Sequence, residues 1–410
     1  MSASDTLEVQ GPDASWATGD DLLHHAGRRR VVDGLLSAFA ATAAVRDAAG
    51  GTAKHERDLI RASGLLRLSI PVELGGLGGD WIETLKTVRR IATVDSSLAH
   101  LFAFHHLMLA TVQLFGSPEQ WRQALRDTAR HNWFWGNALN PLDPRARIEA
   151  AGEGYRINGS KSFCSGASDS DRLIVSALRP DGDSLVIALI PTGRDGIVIH
   201  DDWDNMGQRQ TDSGSVDFDE VFVAESELLI HPGPLSSPYA SLRPSLAQLI
   251  LTNLYVGLAE GAIAQARDYV SDLARPWLAS NVARVAEDPY VLRNFGELWV
   301  EVAAARALTD EALRAFQHAW EIGPDLSADE RGEVAVAIAT AKVASARASV
   351  NVASRMFEVM GARATAARSR YDRFWRNART HTLHDPVDYK LRELGAWAVS
   401  RQVPKPSFYS

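Results

Sequence analysis

With 410 residues, 46% of them hydrophobic and 23% charged, the chain has the composition of a folded enzyme and length for two or three domains or one layered unit. A formal net charge of −8 argues against nucleic acid as a partner, and no uninterrupted apolar run reaches the roughly 18 residues of a membrane span. The single cysteine, Cys164, excludes an internal disulfide and a multi-cysteine metal site, and the start of the chain lacks a basic-then-apolar leader, so the expected compartment is the cytoplasm.

Residues 1–20 are polar and rich in Gly, Ser and Asp, which predicts disorder. Helical spacing then marks residues 21–132 as an N-terminal helical domain: Leu22, Leu23, Val31, Val32, Leu35, Leu36 and Phe39 recur on one face, and Glu56–Ile60, Trp81–Val94 and Leu98–Phe115 continue the pattern. Asp95-Ser96-Ser97 is an N-cap cluster, and Pro118 suits the first turn of the next helix. The glycine-dense loop Gly75-Gly76-Leu77-Gly78-Gly79 lacks the Lys-Ser/Thr of a nucleotide loop. His100 and Phe104 are i, i+4 neighbours; a histidine on so apolar a helix is more often a satisfied core residue than a catalytic one.

Residues 133–236 alternate in short β-rich bursts, predicting a central β domain, a small barrel or sandwich, with a hairpin turn at Asn158-Gly159. Residues 237–401 return to helical patterning and predict a C-terminal four-helix bundle. Its first helix is apolar all round, and its third starts with a Ser327/Glu330 capping box. Residues 402–410 hold Pro404 and Pro406 and read as an extended tail. The fold class is α+β.

The densest chemistry lies in Arg373-Phe-Trp-Arg376-Asn377-Ala-Arg379-Thr-His381-Thr-Leu-His384-Asp385-Pro386. Cations and imidazoles beside Phe374 and Trp375 suit a flat anionic ligand; the alternative is a solvated basic face. His381-x-x-His384-Asp385 has metal-ligand spacing, but Arg376 and Arg379 would repel a cation, so no metal is expected.

The order helices, β domain, helical bundle, with Tyr155-x-x-Asn158-Gly159-x-Lys161, resembles the acyl-CoA dehydrogenase superfamily of flavoproteins over nearly the whole chain. Six strings resemble its reduced-FMN monooxygenases, the branch of dibenzothiophene monooxygenase: Gly136-Asn137-Ala138, Phe163–Ala167, Asp201-Asp202-Trp203, Gly207–Ser215, Ala274–Trp277 and Arg373–Pro386. Where a dehydrogenase carries its glutamate base, this chain has His384-Asp385, with Asp385 a possible substitute. Where a dehydrogenase has Gln-x-x-Gly-Gly at the adenine of FAD, this chain has Glu358-Val-Met-Gly361-Ala362-Arg363.

The resemblance implies FMN rather than FAD, supplied reduced by a separate NAD(P)H:flavin reductase, and O2 as co-substrate. The reaction would oxygenate a small organic substrate, most readily an organosulfur compound, through a flavin C4a-hydroperoxide. The alternatives are an FAD-dependent acyl-CoA dehydrogenase and a non-catalytic helical scaffold. The resemblance makes His384 the first choice for proton donor, His100 the second, Ser165 a donor to flavin N5 or the peroxide, and Asn137 a partner of flavin or substrate. Ser213, Arg275 and Arg363 are implied for the FMN phosphate and His381 for the cofactor. Phe104, Trp203 and Phe163 would wall the substrate pocket, Phe104 standing where the dibenzothiophene enzyme has a tyrosine. Arg275 is implied to reach the flavin of a neighbouring subunit, hence a homo-oligomer, a tetramer (dimer of dimers) by the resemblance. Arg373, Arg376 and Arg379 are left a structural role.

Overall fold

The computed structural model describes residues 21–182 and 184–410; the disorder expected for residues 1–20 lies outside them. The N-terminal segment folds into α1 (His25–Ala49), α2 (Lys54–Ala62), α3 (Trp81–Ala92), α4 (Ser96–Phe115) and α5 (Pro118–His131). Asp95 caps α4 as expected, its carboxylate accepting the Ser97 and Leu98 N–H groups, and Pro118 opens α5 behind a Ser117/Gln120 capping box. Nearly every residue of α4 is buried. Its adjacent histidines are core residues with partners: His105 bonds the Leu66 carbonyl (2.8 Å) and His106 the Ser69 hydroxyl (2.7 Å). In the glycine loop, the N–H groups of Gly76, Leu77, Gly78 and Gly79 all bond carbonyls of residues 67–71, which leaves none for a phosphate.

The middle segment is one mixed sheet built from β1 (Trp135–Ala138), β2 (Arg147–Ala151), β3 (Gly154–Lys161), β4 (Arg172–Leu178), β5 (Leu185–Pro191), β6 (Ile197–Ile199) and β7 (Val216–Ala224). Its order is β1-β4-β2-β3-β7-β6, with β5 antiparallel to β4. It curls around its own apolar cluster, including Ile148, Ile157, Val175, Ile190 and Val221. Asn158-Gly159 does not make the expected hairpin turn. It lies inside β3, at a register shift against β7, while the β2–β3 turn uses Gly152 (φ 62°). The positive-φ tendency is real (Gly159, φ 113°) but serves a bulge, where a Cβ would stand 2.1 Å from the Arg145 carbonyl oxygen.

The C-terminal segment contains three long helices, α6 (Leu242–Asp272), α7 (Pro289–Ile322) and α8 (Ala328–Met360). In place of one fourth helix there are two short ones, α9 (Arg373–His381) and α10 (Val387–Ser400), because Asp385-Pro386 cannot continue a helix. α6 runs between the other layers, buried against α3, α4, α7, α8 and α9. By length and composition α4 and α6 would each pass for a membrane span. Yet 94% and 83% of those apolar windows are buried inside the fold, as in the core helices of a globular protein.

Candidate functional site

A cavity of ≈ 860 Å³ lies where the three layers meet. Its walls come from α4 (His100, Phe104), β1 and the loop after it (Asn137, Asn140, Arg145), the loop after β3 (Phe163, Ser165), the loop before β7 (Trp203, Gln208, Thr211, Ser213), the end of α9 (His381, His384) and Tyr409.

Charges at the seams hold these loops in place. Arg57 of α2, wholly buried, donates to the Gly166 and Asp169 carbonyls and pairs with Asp169 and Asp212. Arg46 of α1 joins Asp95 (2.6 Å) to Gln210 (2.6 Å). Lys161 donates to the Asn140 and Asp143 carbonyls, pinning the cavity rim; burial brings its ammonium down to about 8. The 203–213 loop lies on α9: Gln208 N–H bonds Asn377 (2.7 Å), and a Cβ on Gly207 would meet the Arg376 carbonyl at 2.1 Å. Arg376 is occupied with Asp47, Asp372 and the Met206 carbonyl, and Arg373 is buried against the Arg370 carbonyl, so both act structurally.

One wall is a continuous chain of neutral hydrogen bonds. His381 Nε2 meets His100 Nδ1 (3.1 Å), and His100 Nε2 meets Ser165 Oγ (3.0 Å). Ser165 Oγ meets Ser213 Oγ (2.8 Å), Ser213 donates to Thr211 Oγ1 (2.7 Å), and Thr211 donates to the Gln208 carbonyl (3.0 Å). A carbonyl oxygen only accepts, and this orients the whole chain. Each hydroxyl passes its hydrogen toward Gln208, His100 carries its proton on Nε2, and His381 donates from its own Nε2. His381 Nδ1 is left buried and without a partner. Both rings are held neutral. Burial, assisted by the nearby His384, pushes His100 down to about 3, and burial together with His100 holds His381 well below the usual imidazole range. Phe104 stacks on His100 at 3.9 Å.

The other histidine of the cavity, His384, is backed by an ion pair. His384 lies in the turn after α9 with 38% of its side chain exposed, and its Nδ1 meets Asp385 Oδ1 at 3.0 Å. The same carboxylate oxygen accepts from Lys342 Nζ at 2.9 Å, and Lys342, fully buried on α8, also bonds Gln248 (2.8 Å). Burial alone would raise the Asp385 carboxyl, but the His384 hydrogen bond and the Lys342 ammonium outweigh it and hold it well below the usual range. Asp385 is therefore an ionised prop behind His384 and does not line the cavity. It is committed to an ammonium, which removes it both as a metal ligand and as a dehydrogenase-type base.

Asn137 uses its side-chain oxygen on the Leu139 N–H (3.2 Å), so its amide N–H groups remain to donate. Phe163, in the left-handed region at φ 59°, meets Trp203 edge-on at 6.0 Å, and Trp203 Nε1 donates to the Gln208 carbonyl. His384, His100, Ser165, Asn137, Ser213, His381, Phe104, Trp203 and Phe163 are thus brought to one cavity. Arg275 and Arg363 are not. Both are exposed and away from it, although the neighbouring Ala274 and Ala364 pack into one apolar cluster at the same end of the bundle. Sequence reasoning missed Lys342, whose trace was a lysine four residues after Ile338 on a buried helical face. It also missed Tyr409, which left no trace.

Models of the acyl-CoA dehydrogenase N-terminal, middle and C-terminal domains match residues 25–132, 136–221 and 249–389. A probable FMNH2-dependent monooxygenase, SfnC of Pseudomonas putida, is 55% identical over 92% of this chain and 95% of its own length. The structure of the methanesulfinate monooxygenase MsuC from Pseudomonas fluorescens superposes with a TM-score of 0.92 at 56% identity, covering 93% of this chain and 99% of that one. FMN-bound TdsC of Paenibacillus sp. A11-2, a dibenzothiophene monooxygenase, gives 0.89 at 43% identity, covering 93% and 100%. The chain belongs to the acyl-CoA dehydrogenase family.

Proposed function

We propose that the protein is the oxygenase of a two-component flavin-dependent monooxygenase, which uses reduced FMN and O2 to oxygenate the sulfur of a small organic compound in the cytoplasm. The observation that carries this reading is the cavity with two unlike histidine walls, one neutral and insulated, the other ionic and open. Relatives that are FMNH2-dependent, FMN-bound, and active on methanesulfinate or dibenzothiophene support it.

The residues present fit a flavin. Aromatic side chains (Phe104, Phe163, Trp203) and uncharged donors and acceptors (Asn137, Ser165, Ser213) line one space, which suits a flat ring edged with polar atoms. Bound reduced FMN supplies two electrons to O2, of which one oxygen atom goes to sulfur and the other leaves as water. Asn137, whose amide N–H groups are free of its Leu139 bond, would donate to a carbonyl of the ring. Ser165 differs from the expected donor: its hydrogen is given to Ser213, so it offers a lone pair, as the N5–H of a reduced flavin requires. Ser213 likewise holds Ser165 in place of a phosphate. His384, oriented through Nδ1 by Asp385, presents Nε2 for proton transfer at the reacting oxygen.

Arg275 and Arg363 lie away from the cavity of their own chain, so each would take an FMN phosphate only across an interface, Arg275 from a neighbouring copy, and the assembly is a homotetramer. Exposed Trp277, Leu278, Tyr290 and Trp299 beside that end of the bundle support an interface there. A separate NAD(P)H:flavin reductase supplies the reduced flavin. The dehydrogenase alternative lacks a base with Asp385 locked, and a scaffold leaves the polar cavity without a purpose.

Titration with FMN and FAD, each oxidised and reduced, tests the reading. Tight preference for reduced FMN is expected, together with sulfur oxygenation when a flavin reductase is added. Stable FAD-bound protein that oxidises acyl thioesters would overturn it.

A further inference from the structure

Tyr409 reaches the cavity on a segment that takes no part in any helix or strand. Gln402–Ser410 runs along α8 and α10, and two buried cations grip its main chain. Arg331 of α8, 1% exposed, donates to the Pro404 carbonyl (3.1 Å) and to the Ser410 main-chain oxygen. Lys390 of α10, also buried, donates to the Tyr409 carbonyl (2.6 Å). Gly332, the next residue on α8, gives Val403 its seat; a Cβ there would stand 2.7 Å from the Val403 Cβ. Phe408 packs against the main apolar core. Charge-assisted bonds from buried guanidinium and ammonium groups to carbonyls are a costly arrangement for a segment with nothing to hold.

What the segment delivers is the Tyr409 ring. It lines the cavity and stands 6.1 Å from the His384 ring, centroid to centroid, at a 50° tilt. Burial, with the Asp385 carboxylate, raises its hydroxyl, so the side chain is a neutral phenol. A flat ring inserted between two others needs about 7 Å between them, two van der Waals contacts of about 3.5 Å. The two rings stand closer than that, so no flat ring enters between His384 and Tyr409.

We propose that Tyr409 is a specificity-determining residue: locked in place by Arg331 and Lys390, it closes the His384 end of the cavity to planar polycyclic compounds and leaves room for small, few-carbon sulfur compounds. This deepens the monooxygenase reading by naming its substrate class and rests on it.

The test is equilibrium dialysis of the full chain, loaded with oxidised FMN so that nothing turns over, against dibenzothiophene as the planar probe. Tyr409→Ala is expected to bind the probe at least tenfold more tightly than the wild type, and Tyr409→Phe, which keeps the ring, within twofold of it. Arg331→Met should speed backbone hydrogen exchange across residues 402–410 and tighten probe binding as well. Affinity of Tyr409→Ala within twofold of the wild type, or an equal gain in Tyr409→Phe, overturns the size limit; unchanged exchange in Arg331→Met overturns the lock. If the wild type makes no oxygenated sulfur product with reduced FMN, the monooxygenase reading fails, while the dialysis result stands on its own.

Discussion

The two histidine walls of the cavity are built from the same residue type and behave in opposite ways. His100 and His381 touch each other, Ser165, Phe104 and Tyr255, and among the described residues neither ring bonds a carboxylate. His384 touches a carboxylate that an ammonium keeps ionised. Burial without a counter-charge takes the proton off an imidazole, whereas a carboxylate partner fixes the tautomer of the ring it holds. On the proposed reading the first wall holds geometry, and the second moves protons. Replacing His384 with alanine should break this division most severely. Flavin binding is expected to persist while coupled sulfur oxygenation falls by roughly 10²–10⁴-fold, the usual worth of a general acid or base, with the lost oxygen recovered as hydrogen peroxide. Product and peroxide measured side by side check it; undiminished oxygenation would take His384 out of the chemistry.

Lys342 sharpens the contrast from behind. Lys342→Met leaves the Asp385 carboxylate buried without its ammonium, and removing one partner of such a pair costs about 3–5 kcal/mol. Denaturant unfolding should show a loss of that order. The double variant Lys342→Met/Asp385→Asn should recover much of it, because no uncompensated charge remains. If the single and double variants are equally unstable, the pair is not what supports His384.

The legible parts of this molecule were those that local chemistry specifies. Asp95, Ser327 and Pro118 mark helix starts because capping and a fixed φ act within one turn, and all three do so in the structure. Seven of the nine expected cavity residues come from the matching strings, and they converge because five of the six strings meet at the seams between layers; His100 and Phe104 lie outside the strings, on α4. Long-range pairing was harder to read. Asn158-Gly159 has the same φ preference in a turn and in a bulge, and only the partner strand decides between them. Asp385 looked like a base until Lys342, forty-three positions earlier, proved to neutralise it. Tyr409 was invisible, because its place depends on Arg331 and Lys390 gripping carbonyls, and carbonyls have no sequence identity.

The most gradual effect, at most about 1.4 kcal/mol for each pH unit, tests the insulated wall. A free imidazole takes its proton near 6.5, whereas His100 in the folded chain takes one only near 3. Between these values the unfolded chain binds a proton that the folded chain refuses. The contribution of His100 is therefore fully present above about pH 6.5 and is lost as the pH falls toward 3, at a slope of up to about 1.4 kcal/mol per pH unit. His381, shifted in the same direction, adds to the slope, so acid should destabilise this protein well before its carboxylates are protonated. His100→Gln removes one such proton and should flatten the wild-type curve of unfolding free energy against pH by up to that amount over this interval. The glutamine retains a donor and an acceptor for Ser165 and His381, which separates loss of titration from loss of contact. An unchanged slope would mean that His100 is solvated enough to protonate in the folded state, and the neutral wall would then lose its distinction from the ionic one.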